Sequence, residues 1–342
     1  MKAFASTLWR DRLLFLAITI YLLGSAATST ALGLADKFRP LMYIERWVLF
    51  LCLLGALRFF WLLLKTFGSA RPLLRLYQFL KEDLPTFAAG ALLCFALALL
   101  HGSYTSIKTI IPEVLPFSYD IALADLDAAV HGGIDPWRLL TWLDPFTSII
   151  EPLYSAVWLL LVALFTALVC TSSGDPARKS RYGWTFFLCW TVLGNLVSSL
   201  ILAAGPAYYA KVTGSHRFTD LTNYLAQFDG PLSAYNIQAR LWTAYSEQSV
   251  GPASGISAFP SMHLSMVTLF TLYAWGIRPI FGYVFAAYGA VILLGSVHLG
   301  WHYAIDGYFS IGSTLGIWKV VGWAQQANWS SFLLMRRRFS AA

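Results

Sequence analysis

The sequence predicts an all-α polytopic membrane helix bundle with about eight transmembrane helices. Three observations carry that reading. Hydrophobic residues make up 58% of the 342-residue chain and its mean hydropathy is +0.61. Charged residues make up 12%, about half the roughly 25% that a water-facing surface uses. The basic residues, finally, collect in alternate loops between apolar runs, as they do in membrane proteins.

A spanning helix needs about 20 mostly apolar residues. Eight runs qualify: 13–33, 47–66, 86–106, 150–171, 184–204, 261–277, 281–299 and 303–323. The first follows Lys2, Arg10 and Arg12 but is too long for a cleaved signal, so it counts as a helix. The sixth is the shortest and opens on the polar Ser261-Met262-His263. With the N-terminus inside, the inner segments hold 14 Lys and Arg against eight outside, whereas thirteen of the 17 acidic residues lie outside. That asymmetry predicts both termini on the cytoplasmic side. It also explains the net charge of +7 by topology, so no nucleic-acid partner is expected. Cys52, Cys94, Cys170 and Cys189 fall in apolar runs without metal-type spacing and read as small core or lipid-facing residues. Trp47, Trp61, Trp158, Trp184, Trp301 and Trp323 lie near span ends and read as interfacial belt anchors. Arg58 sits mid-span, where a structural pairing or snorkelling is expected.

Two outer segments exceed simple turns. Residues 107–149 contain the amphipathic stretch Ile121 to Val130, in which Asp125 and Asp127 flank Leu123, Leu126 and Val130. This predicts a short helix lying in the interface. Residues 205–260 are rich in aromatics and are expected to form a cap over a site, since long loops in compact domains are usually functional or disordered.

The chemistry gathers at the end of that segment. Gly255-Ile-Ser-Ala-Phe-Pro-Ser-Met-His263 precedes the sixth run, and His298-Leu-Gly-Trp-His302-Tyr-Ala-Ile-Asp306 closes the seventh. Helix six runs inward and helix seven returns, so His263 and His302 share the outer face. Asp306 follows His302 by four residues and lies on the same helical face. A carboxylate there can accept from one imidazole nitrogen and leave the other as a nucleophile, while stabilising the cation. His263 can then protonate a leaving group. The helix start at Pro260-Ser261-Met262-His263 offers free backbone N–H groups to an anion.

Ser257-Ala-Phe-Pro-Ser-Met-His263 and His302-Tyr-Ala-Ile-Asp306 resemble the second and third signature motifs of the type 2 phosphatidic acid phosphatase superfamily. The resemblance implies a six-helix membrane core, here residues 86–323, preceded by two N-terminal helices with a linker over 1–85 and followed by a basic tail over 324–342. It implies metal-independent phosphoryl transfer through a phosphohistidine, with no cofactor. His302 would be the nucleophile, Asp306 its orienting carboxylate and His263 the acid/base, with Ser261, Met262 and the neighbouring backbone binding phosphate. Two departures stand out. Gly295-Ser296 occupies the Ser-Arg positions of the third motif, and Leu115-Pro116 the Arg-Pro positions of the first. Both phosphate-clamping arginines are thus absent, and Lys108 is the cation that fits best in their place. Similar losses mark the branch typified by inositol phosphorylceramide synthase, in which a second lipid or an alcohol receives the headgroup.

The expected partners are therefore a membrane phospholipid, an alcohol or lipid acceptor and the bilayer, with the site facing the periplasm of a bacterial inner membrane (the lumen in a eukaryote). Three alternatives are weaker. Water as acceptor would make the protein a lipid phosphatase. A transporter would need mid-membrane charge or inverted repeats, and the spans show little of either. His298, His302 and Asp306 at four-residue spacing could form a metal face, yet no further outer cluster completes it.

Overall fold

The computed structural model describes residues 2–339, with side chains over 4–327, so Arg336-Arg337-Arg338 lies outside the described side chains. Among the described residues every regular element is helical. The spanning helices are α1 (Lys2–Ala31), α2 (Ile44–Leu64), α3 (Pro72–Val114) and α6 (Trp158–Thr171). Beyond them run α7 (Pro176–Leu188), α12 (Met262–Trp275), α13 (Pro279–His298) and α14 (Ala304–Phe339). Six segments are long and apolar enough to cross a membrane by themselves. α12 has only 14 residues, about 21 Å of helix. α14 carries Asp306, Ser310, Thr314 and Lys319 along its length. Both pack on α13 and on each other, so they complete the bundle, α12 mostly buried and α14 with Tyr308, Leu315 and Val320 exposed.

Proline placement explains where several helices begin. Pro72, Pro176 and Pro279 each stand in the first turn, where a missing N–H costs nothing. Asp175 caps α7 by accepting from the Ala177 amide at 3.1 Å. α3 is far longer than its apolar run: at 43 residues it extends about 65 Å and continues through Pro85 and Pro112. Residues 107–114, predicted as loop, are its last turns, so Lys108 rides on a helix. Pro112 cannot donate to the carbonyl of Lys108, but packing of Ile110 and Ile111 holds the helix on.

Short helices crown the end that carries His263 and His302. α4 (Asp120–Val130) is the predicted amphipathic helix, but its polar face points the other way from a simple interfacial helix. Asp120 and Asp127 are buried, while Ile121, Leu126 and Val130 are exposed. The 3₁₀ segment Pro136–Phe146 leads through α5 (Thr147–Pro152) and a π-helical stretch, Leu153–Val157, into α6. A second π stretch, Cys189–Val197, continues α7 towards α8 (Ser198–Leu200). α9 (Tyr209–Thr213), α10 (Thr219–Leu225) and α11 (Ala234–Ser246) form the cap predicted over 205–260. It is tied down by the Ala234 amide donating to Glu151 (2.8 Å) and Gln238 Nε2 donating to the Leu299 carbonyl (2.8 Å).

The two N-terminal helices reach this end too. The Tyr43 hydroxyl accepts from the Ala253 amide at 2.7 Å and bonds Thr105 Oγ1 at 3.1 Å, and Lys37 pairs with Glu113. At the opposite end Arg58 is paired with Asp83 and donates to the Thr171 carbonyl at 3.0 Å, the structural pairing expected of it. Cys94, Cys170 and Cys189 are buried free thiols and Cys52 is exposed.

Candidate active site

Ser261 is the N-cap residue of α12, yet its hydroxyl makes no capping bond. The first amide with a helical acceptor is that of Ser265, which donates to the Ser261 carbonyl at 3.1 Å. The first-turn amides therefore face outward at the positive end of the helix dipole, the arrangement that binds anions. The Phe259–Pro260 peptide just ahead is cis.

His263, in that first turn, is held by aromatic rings. Tyr154 stacks on one side at 4.1 Å between centroids with planes 11° apart, and Trp158 stacks at 3.9 Å and 28°. Trp158 also donates its indole N–H to the His263 carbonyl at 3.2 Å. Trp301 extends the stack beyond Tyr154 at 6.0 Å. Trp158 and Trp301 are thus not both belt anchors: Trp158 is buried at 6% exposure beneath the imidazole, because α6 approaches α12 there. Trp61 and Trp323, at 51% and 66% exposure, do fit the belt.

His302 is held by a carboxylate. Its Nδ1 lies 3.3 Å from Asp306 Oδ2, an oxygen that also accepts from the Tyr303 amide at 3.0 Å. Fixing Nδ1–H on Asp306 leaves Nε2 with its lone pair free. The centroids of His263 and His302 are 6.2 Å apart. On the residues adjoining this pair, Ser261 Oγ, Ser265 Oγ, Tyr154 OH and Asp306 Oδ1 are buried without a hydrogen-bond partner among the described residues. Buried polar atoms in native proteins are seldom left so, and four around one histidine pair mark a polar site.

Lys108 lies in the last turns of α3, against Gly255 at the head of the stretch that ends on His263. Gly255 makes that approach possible. Its φ is +89°, and a Cβ there would stand 3.0–3.1 Å from Lys108. Among the described residues no carboxylate comes within ion-pair distance of Lys108. Three other outer cations are engaged. Arg217 donates to Asp135, Asp125 and the Ala124 carbonyl, and the Asp135 hydrogen bond foremost raises its pKa. Lys211 sits 4.6 Å over the Trp242 ring, and Arg240 donates to the Pro231 carbonyl.

Two residues that sequence reasoning passed over build the frame. Asp120 accepts from the Ala204 and Gly205 amides, both at 2.8 Å, and from the Tyr303 hydroxyl at 2.9 Å. Asp127 accepts from the Ala304 and Ile305 amides at 3.0 and 3.1 Å, capping α14 from a distant element. Burial pushes both carboxyls above the usual range, and the hydrogen bonds they accept work against it. A signal was present: both acids fall on the Leu123–Ala124 side of α4, the side that packs. His298 turns to Thr147 Oγ1 at 2.8 Å, and Asp144 is 3.9 Å from its Nδ1, so it does not join His302 and Asp306 in a ligand set. Among the described residues no group of three or more His, Cys, Asp or Glu side chains is gathered as for a metal.

The positions of the absent arginines differ in environment. Ser296 is fully buried, and its carbonyl accepts from the Trp301 and His302 amides at 2.9 and 3.2 Å. Leu115, just past α3, is 41% exposed.

The PAP2 superfamily model matches residues 121–318, more than half of the chain. The chain belongs to the PAP2 superfamily. That match takes in His263, His302 and Asp306 but stops short of Lys108 and the N-terminal helices. Superfamily members are phosphatases or phosphotransferases, which points to a lipid-acting enzyme in an integral membrane protein. No curated protein and no solved structure matches the chain.

Proposed function

We propose that the protein is a lipid phosphotransferase that moves a phosphoryl-linked headgroup from a phospholipid to an alcohol or lipid acceptor, in the manner of inositol phosphorylceramide synthase. The observation that carries this reading is the pairing of a carboxylate-oriented His302 with His263 at 6.2 Å between rings. His302 Nε2 attacks phosphorus and the bond to the departing alkoxide breaks. His263 gives that oxygen its proton. The acceptor hydroxyl then loses its proton to His263 and attacks the phosphohistidine, and the P–N bond breaks to restore His302. Lys108, the Ser261 hydroxyl and the first-turn amides from Met262 onward hold the phosphoryl oxygens, in the role the missing arginines have elsewhere. No step routes through a metal, so turnover should survive EDTA. The basic-residue count supports a site on the periplasmic or lumenal side.

The test is rapid quenching of purified protein with phosphorus-labelled phospholipid, followed by peptide mapping. Acid-labile label should map to His302 and vanish in His302→Ala. Label on His263 would reverse the two roles, and an active His302→Ala enzyme without label would end the covalent mechanism. Adding an alcohol acceptor should divert label to a new phosphodiester; release of free phosphate or headgroup phosphate alone would make water the acceptor.

A further inference from the structure

The end of the bundle opposite the histidines carries a cavity of about 510 Å³ between α7, α12 and α14. α12 and α14 each run from the site to this cavity, so roughly 20 Å of helix separates the two. Arg178 and Arg181, one turn apart on one face of α7, both line it. The Arg181 guanidinium is set in place. Arg181 donates Nε–H to the Trp318 carbonyl at 2.8 Å and lies 4.2 Å above the Trp318 ring. With Nε spent, the two terminal nitrogens are left as a fork. Gly322 leaves room for it, since a Cβ there would meet Arg181 Nη2 at 2.5 Å. Gly276 does the same for Arg178, whose Nε would stand 2.9 Å from an added Cβ.

The charge in this cavity is not balanced by the protein. Asp175 is its one lining carboxylate among the described residues. It reaches Arg178 only at 3.9 Å and is already engaged in capping α7. Among the described residues no carboxylate pairs with Arg181. Trp275 and Trp318, both lining residues, place the cavity at the depth where indoles settle between hydrocarbon and headgroups. Two guanidinium groups, that of Arg181 preset, an excess of positive charge and an apolar flank match a phosphodiester that carries acyl chains.

We propose that this cavity binds the phosphate of an anionic phospholipid from the leaflet opposite the histidines, held by Arg178 and Arg181, with acyl chain along Leu272 and Trp275. The site is separate from the phosphoryl-transfer chemistry and does not depend on it.

The experiment uses the full-length protein in nanodiscs with phosphatidylglycerol bearing a photoactivatable acyl chain, followed by peptide mapping. Adducts are expected on peptides containing Trp275 or Trp318. In Arg178→Gln/Arg181→Gln these adducts should fall about tenfold or more, as loss of charge-assisted hydrogen bonds implies. Arg181→Lys, which keeps the charge and loses the fork, should fall between. On the unaltered protein, unlabelled phosphatidylglycerol should compete and phosphatidylcholine should not, a result that needs no variant to fold. Adducts confined to peptides around His263, or undiminished in the double variant, would overturn the proposal. Displacement by millimolar inorganic phosphate without any lipid would also overturn it, leaving a free-anion site.

Discussion

The two histidine rings lie 6.2 Å apart but are held by opposite means. His302 sits in a loop, and everything that fixes it is polar: Asp306 on Nδ1, the Ser296 carbonyl on its amide, and Asp127 on the amides that follow. His263 sits in a helix, and what fixes it is apolar: the Tyr154 and Trp158 faces, with one indole hydrogen bond to its backbone. A carboxylate partner would favour the imidazolium that develops in the proposed attack by His302. Among the described residues the His263 ring makes no hydrogen bond, which suits the proposed transfer of its proton to a substrate oxygen. The buried acids reinforce the division. Asp120 and Asp127 spend their oxygens chiefly on backbone amides, so they hold the loop and helix start around His302 in place.

The largest effect should come from breaking the polar side. Asp306→Asn keeps the size of the side chain but removes the charge and allows the wrong tautomer of His302. By analogy with the carboxylate of a serine-protease triad, turnover should fall roughly 10³–10⁴-fold while the nucleophile remains. Single-turnover quench should still trap label on His302, formed slowly. A variant within a few fold of the parent would show that Asp306 serves only to close the helix.

Lys108→Ala sharpens the other side. A phosphate donor lost from a water-poor site should cost about 10²–10³ in kcat, with Lys108→Arg recovering part of it. If Lys108 holds the phosphoryl oxygens, as proposed, the defect should be the same for good and poor leaving groups. Parent-like turnover would return the phosphate to the α12 amides and the Ser261 hydroxyl.

Much of this division could be read in the sequence, and its limits have physical causes. The eight apolar runs each correspond to a helix, and the Pro-Ser-Met-His and His-x3-Asp spacings mark residues that meet in space. Those signals are local, four to nine residues long. The aromatic walls are not local: Tyr154 precedes His263 by more than a hundred residues, in a π-helical stretch that no periodicity announces. Trp158 looked like a belt residue because position near a span end is all the sequence shows of it. Asp120 and Asp127 were hidden for a related reason, since a buried acid bonding backbone amides has the same one-dimensional pattern as a solvated one. Lys108 was assigned to a loop because the apolar run stops at 106, whereas packing carries the helix on to Val114.

The smallest effect belongs to Trp158, and it separates positioning from packing. Trp158→Phe keeps an aromatic face against His263 and loses one hydrogen bond to a backbone carbonyl, a change of about 1 kcal/mol or less than tenfold in rate. Trp158→Leu loses the stacked ring as well and opens space beside the imidazole, at a stability cost of about 2–4 kcal/mol, within the range for shrinking a large buried side chain. Thermal unfolding therefore orders the variants by size, whatever Trp158 does in the reaction. The leaving group gives the reading that packing alone cannot. If Trp158 holds His263 where it can donate a proton, the Leu variant should be slow with an unactivated phospholipid and nearly recover with a nitrophenyl phosphodiester. That leaving group departs without a proton, so an ill-placed acid no longer matters. An equal defect on both substrates would mean that Trp158 shapes the pocket as a whole, and that the ring stack is packing without a part in proton transfer.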